Sequence, residues 1–270
     1  TARVIANRIW HYHFGRGLVA TPSDFGAMGF RPSNPELLDW LALHFQNDLG
    51  WDVKALCREI ALSSAYRRFT TARRLSAEEI RDQALSISGL LSLQLGGPSV
   101  KPPQPAGLWE EGGIQHRYHP DEGEKRFRRS VYTFWRRTSP PPMLNLFDAP
   151  SREICQAARL ETRTPLQVLA LLNDPAMTEA ARALAHRLVN DYRNDESRSL
   201  VAFQTLTGFT PDHGRTLQLT SLLVEARNFF SDNPSQTARF VQGSDSKSIE
   251  IAATACLVRM LFAYEKTMTR

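Results

Sequence analysis

Apolar positions recur with helical period along most of this chain. Val4, Ile5 and Ile9, with Tyr12 beside them, form one face of a helix over residues 2–14. Gly15-Arg16-Gly17 ends it, since glycine takes the left-handed geometry of a C-terminal cap. Ser33-Asn34-Pro35-Glu36 opens the next helix with a capping side chain, a proline in the first turn and an early acid. Its inward face is Leu37, Leu38, Leu41 and Phe45. Asp52 caps a third helix with Val53, Leu56 and Ile60 inward, and Ser76 to Glu79 is a capping box ahead of Ile80, Ala84, Ile87 and Leu91. Thr164-Pro165 and Asn173-Asp174-Pro175 open two more helices, the second with an apolar seam of Met177, Ala181, Leu184 and Leu188. Further helices follow, with Leu200, Val201 and Phe203 before Gly208, with Leu219, Leu222, Leu223, Ala226 and Phe230 after Thr210-Pro211-Asp212, and over residues 251–264.

Two stretches break the period. Residues 98–123 are rich in proline and glycine and read as extended, irregular chain. Residues 126–174 mix cations, aromatics and prolines, and Ser130 to Trp135 is the best strand candidate, bulky and β-favouring on both faces. Pro140 to Pro142 reads as a stiff extended spacer. The pattern predicts a single mainly α domain over residues 1–270, with long ordered irregular loops and at most a small β element around residues 130–136. Its sub-units are residues 1–123, 124–174 and 175–270.

The central stretch carries the candidate chemistry. From Lys125 to Phe147 there are six cations and no acid. Arginines interleaved with aromatics suit planar, bidentate binding of a carboxylate, sulfate or phosphate. Arg129, Arg136, Arg137 and Arg152, with Trp135, are the candidate ligand-binding residues, and Asn7 and Arg8 of the first helix can complete the site. The competing reading is an internal polar clasp, with Asp148, Glu153 and Glu161 neutralising the arginines. If the site is catalytic, the candidates are Tyr132 as acid or base, Asp148 as base and Cys155 as nucleophile, although no partner histidine stands out for Cys155.

Composition narrows the classes. Hydrophobic residues make up 42% and charged residues 23% of the 270, which is globular composition. The net charge of +5 comes mostly from scattered arginines, not from the continuous basic stripe that nucleic acid requires. No apolar run is long enough for a membrane span. Cys57, Cys155 and Cys256 cannot all pair and form no CxxC; Cys57 and Cys256 fall in apolar helical patterns as small core residues. His116 and His119 stand beside Asp121 and Glu122, yet lie in irregular chain with nothing to hold them in metal-ligand geometry, so no metal site is assigned.

The strings ARVIANRIWHYHFGRGLVATPSDFG, PSNPELLDWLA, GGPSVKPPQPAGLWEE, RRSVYTFWRRTSPPPMLNLFDAPSREIC and TRTPLQVLALLND together resemble the planctomycete-type C-terminal domain of unknown function. That resemblance runs over essentially the whole chain. It implies a module at the end of a large exported protein, periplasmic or extracellular. Its partners would be sister domains of the same protein, one of them a cytochrome c domain, so any haem c would belong upstream and no cofactor to this chain. Two departures stand out: the link between Tyr66 and Leu75 is short, and Arg163 stands where the family often has asparagine. Two readings follow. One is a binding module that packs against its sister domains and takes an anionic polysaccharide or carboxylate. The other is a catalytic domain acting on a sugar or sugar acid in concert with the cytochrome.

Overall fold

A computed structural model describes residues 1–68, 73–112, 116–243 and 246–269. Residues 69–72 of the link between Tyr66 and Leu75, and part of the turn expected over residues 242–248, lie outside them. The described residues form thirteen α-helices and no strand, so the chain is mainly α as its periodicity requires. It divides into two units, Thr1–Arg73 with Glu153–Leu160, and Arg74–Arg152 with Glu161–Arg270.

The first unit is built on α1 (Ala2–Phe14), α2 (Pro35–Asn47), α3 (Val53–Leu62) and the short α4 (Ser64–Arg67). Ile9, Leu38, Leu41, Phe45, Leu56 and Ile60 close its core. The Asn34 side chain accepts from the Leu37 amide, and Asp52 from Lys54 and Ala55, as their capping positions demand. Val53 is exposed rather than inward, because it stands in the first turn, ahead of the seam that Leu56 and Ile60 continue.

The second unit holds α5 (Ala77–Ser88), α6 (Leu108–Glu111), α7 (Pro142–Leu146), α8 (Pro165–Asn173), α9 (Pro175–Asp191), α10 (Asp195–Thr207), α11 (His213–Asp232), α12 (Pro234–Val241) and α13 (Ser248–Phe262). At its centre α9 packs on α13. Ala180, Ala181 and Ala185 meet a helix whose Ala252, Ala253 and Ala255 are also fully buried, and small side chains let the two axes approach closely. Arg198 and Arg227 both bond to Glu250, and Arg227 also to Asp195, tying α10, α11 and α13 together. Ser76 and Glu79 form the capping box of α5, and Thr164 with Gln167 forms another at α8.

The strand expected from Ser130 does not form. Ser130–Tyr132 is a 3-10 turn, its start pinned by Asp82 accepting from the Ser130 amide at 2.7 Å. The chain then runs extended for one parallel bridge, Val100 with Thr133. Val100 donates to the Tyr132 carbonyl at 2.8 Å and accepts from Phe134 at 2.7 Å. With a single bridge there is no ladder to propagate, and Val131 stays exposed. Pro142 begins α7 instead of prolonging an extended spacer, its fixed φ suiting a first helical position.

Candidate functional site

All the central arginines belong to the second unit, and the structure splits them into two groups. Arg128 is buried, with its guanidinium donating to the carbonyls of Gln94, Gly96 and Pro98 and lying 3.9 Å above the Tyr132 ring. Arg126 pairs with Glu179 at 2.5 Å. Arg129 lines a shallow depression with Glu78, Glu79 and Asp82, its nearest contact to the Asp82 carboxylate being 3.9 Å. These cations are spent on the fold or neutralised by acids.

The other group is not. The Arg136 guanidinium lies 5.1 Å over the buried Trp109 ring, and Arg152 lies 4.8 Å over Trp135. Trp135 in turn donates its indole N–H to the Ser151 carbonyl at 3.2 Å. Arg152 stands in the left-handed region at φ 64. Arg137 is exposed. None of the three pairs with an acid among the described residues. Trp135 thus stands next to Arg136 and Arg137 in the chain, and its own ring lies under the Arg152 guanidinium.

The candidate acids and bases are engaged elsewhere. Tyr132 accepts from the Gly96 amide at 2.8 Å. Asp148, itself left-handed at φ 62, accepts from Arg74 at 2.8 Å and from the amide and hydroxyl of Thr162 at 2.8 Å each. Burial would raise the Asp148 carboxyl, but the Thr162 and Arg74 hydrogen bonds hold it below its ordinary value. Arg74 also donates to the carbonyls of Phe147 and Thr162, and Gln167 donates to those at Leu146 and to the Thr162 hydroxyl. Asp148 is therefore the centre of a closed clasp, although its cation is Arg74 and not one of the central arginines.

Asn7, Arg8 and Cys155 belong to the first unit. Asn7 is fully buried, donating to the Val19 carbonyl at 3.1 Å and accepting from the Val19 amide at 2.8 Å. A Cβ at Gly17 would meet the Asn7 side chain at 2.8 Å, so glycine there admits the amide. The Asn7 side chain clamps backbone and offers nothing to a ligand. Arg8 and Cys155 are exposed. Cys57 and Cys256 are half-buried beside the apolar cores. The segment around His116 and His119 is held more firmly than its composition implied: Tyr118 donates to the Pro102 carbonyl at 2.6 Å, and Asp121 accepts from the Lys101 amide at 2.7 Å. No group of three or more metal-ligating side chains occurs among the described residues, and no helix is long and apolar enough to cross a membrane.

One constellation has no counterpart in the sequence reading. Arg81, Thr133 and Asp174 line a narrow cleft of about 30 Å³, walled by Pro103, Pro142 and Met143. Arg81 is buried, and its terminal nitrogens donate to the carbonyls of Arg126 at 2.6 Å and Arg128 at 2.9 Å, and to the Ser130 hydroxyl at 3.1 Å. Asp174 caps α9 with one oxygen, which accepts from Ala176 and Met177, and burial pushes its carboxyl above the ordinary value. Burial likewise raises Tyr118, on the same cleft. The Thr133 hydroxyl is buried and has no hydrogen-bond partner among the described residues. A cation on the buried face of α5, level with Ala77, Ala84 and Ser88, was the available signal.

A family model described as "PSD1: Protein of unknown function (DUF1553)" matches residues 1–72 and 69–223. The chain belongs to this family. No curated protein and no solved structure matches it. The two DUF1553 segments overlap at residues 69–72, between Tyr66 and Leu75. The cleft lies wholly inside the second DUF1553 segment. A wider groove of about 850 Å³, between α11, α12 and α13, lies almost entirely beyond it.

Proposed function

We propose that this DUF1553 chain is a binding module of a larger exported protein and takes an acidic saccharide on the arginine–aromatic face around Trp135. The observation that carries the reading is the division among the central cations. Arg126 and Arg128 are consumed by Glu179 and by carbonyls, while Arg136, Arg137 and Arg152 meet no acid. Guanidiniums resting on indole rings keep their edges available for a planar carboxylate or sulfate. Binding is electrostatic and partly exposed, so added salt weakens it.

Export and the companion domains are supported by the motif resemblance alone, and any haem c is assigned to an upstream domain. Packing against sister domains draws support from α8, where Leu166 and Leu169, three residues apart, are both exposed. The test is electrophoresis through gels containing polygalacturonate or a neutral glucan. The chain is expected to be retarded by polygalacturonate only, and the triple variant Arg136→Glu, Arg137→Glu, Arg152→Glu to run freely. Equal retardation of parent and triple variant would remove the reading.

A further inference from the structure

The cleft beside the arginine face leaves polar groups unspent. Arg81 has used both terminal nitrogens on carbonyls and a hydroxyl, but its Nε is buried without a partner. Four other described arginines share that feature, so Thr133 is the sharper sign: it lines the cleft, and its buried hydroxyl has no partner among the described residues. Asp174 has committed one oxygen to the first turn of α9, and no hydrogen bond engages the other among the described residues. A donor, a hydroxyl and a carboxyl oxygen thus remain on three residues that line one small cleft. Leaving a buried polar group unmade costs about 1–3 kcal/mol.

The chemistry of the missing partner follows from what remains. A carboxylate or phosphate would need the Arg81 fork, which is already closed on the backbone, and would face Asp174. A hydroxyl suits all three groups, because it accepts from Nε and donates to the carboxyl. The interior of about 30 Å³ is near the share of liquid that one water occupies. A hydroxyl or hydroxymethyl fits such a space, with the rest of the ligand outside. The walls are apolar: proline rings and the Met143 thioether, which adapts its shape. Arg136 follows Thr133 by three residues, roughly 10 Å of extended chain at ~3.3 Å each.

We propose that the cleft of Arg81, Thr133 and Asp174 is a subsite for an uncharged hydroxylated group, the hydroxyl or hydroxymethyl of a saccharide residue whose acidic neighbours lie on Arg136 and Arg152. The proposal rests on the saccharide-binding reading in naming the neutral part of the same ligand. It stands apart from that reading in the residues that carry it.

Methionine-methyl NMR reads the cleft directly, since Met143 lines it and only four other methionines share the spectrum. The probes are tetragalacturonate and the neutral galactotetraose. Both are expected to shift the Met143 methyl and leave Met28 unmoved. Thr133→Val and Asp174→Asn are each expected to weaken the Met143 titration about tenfold, equivalent to about 1.4 kcal/mol. Both substitutions preserve volume, and asparagine retains an oxygen to cap α9. The proposal is overturned if neither probe moves Met143, or if Thr133→Val titrates like the parent. Polygalacturonate retardation with a silent Met143 removes the subsite and leaves the arginine reading. A Met143 shift that the arginine reversals do not weaken for either probe removes the arginine reading and leaves the subsite.

Discussion

Two buried arginines of the second unit stand in opposite situations. Arg74 donates to Asp148 and to the carbonyls of Phe147 and Thr162, while Thr162 gives Asp148 its amide and hydroxyl as well. That assembly is closed: each oxygen of the carboxylate has a donor. Arg81 also spends its terminal nitrogens on carbonyls, but the acid and the hydroxyl that share its cleft are left with capacity to bond. The difference teaches where to look for function. A buried charge whose acid is fully hydrogen-bonded fixes the fold. A buried charge beside incomplete partners costs stability, and that cost is recovered only when something enters.

The largest expected effect breaks the closed member of the pair. Arg74→Ala leaves Asp148 without its cation in a part-buried site, which is expected to destabilise the chain by about 3–5 kcal/mol in urea unfolding. A loss under about 1 kcal/mol would show that the clasp does not hold the fold.

A middle-sized effect separates the two acids by pH. The folded Asp148 carboxyl lies below its ordinary 3.8, so its stabilisation is complete above that value and is lost as pH falls through the lowered folded value. The folded Asp174 carboxyl lies above 3.8, so the chain loses stability as pH rises from 3.8 through the raised value. Asp148→Asn is therefore expected to lower the urea midpoint at neutral pH and Asp174→Asn to raise it, both effects vanishing in acid. Shifts of the same sign in the two variants would merge sites that the comparison keeps apart.

Much of the fold was legible because its signals are local. Asn34, Asp52 and the Ser76–Glu79 box each act within three residues of themselves, and the apolar seams repeat within single helices. The site was less legible because its partners are distant in sequence. Arg74 meets Asp148 from 74 residues away, and Arg81 reaches Arg128 from 47. A spacing argument sees only a cation in a helix. The strand expected at Ser130 failed for a related reason, since a strand requires neighbours that its own residues do not announce. The imbalance of charge around Arg136 was visible, but which cations were already spent on carbonyls was not.

The smallest effect refines the open member. Thr133→Val replaces an unpartnered hydroxyl with a methyl in the same volume, and a gain of about 0.5–1 kcal/mol is expected. A loss of similar size would mean that the hydroxyl already has an internal partner.

Arg152 joins a backbone state to a side-chain state. A side chain other than glycine pays about 1–2 kcal/mol to stand left-handed, and the contact of its guanidinium with Trp135 returns about 0.5–1 kcal/mol of that. An anion that drew the guanidinium off the indole would withdraw this support from the turn at Arg152. For such an anion, unlike one bound at the guanidinium edge, occupancy and the conformation of the turn would be thermodynamically linked. By reciprocity, stiffening the turn while keeping the guanidinium on its ring would weaken the grip on any anion that must pull it away.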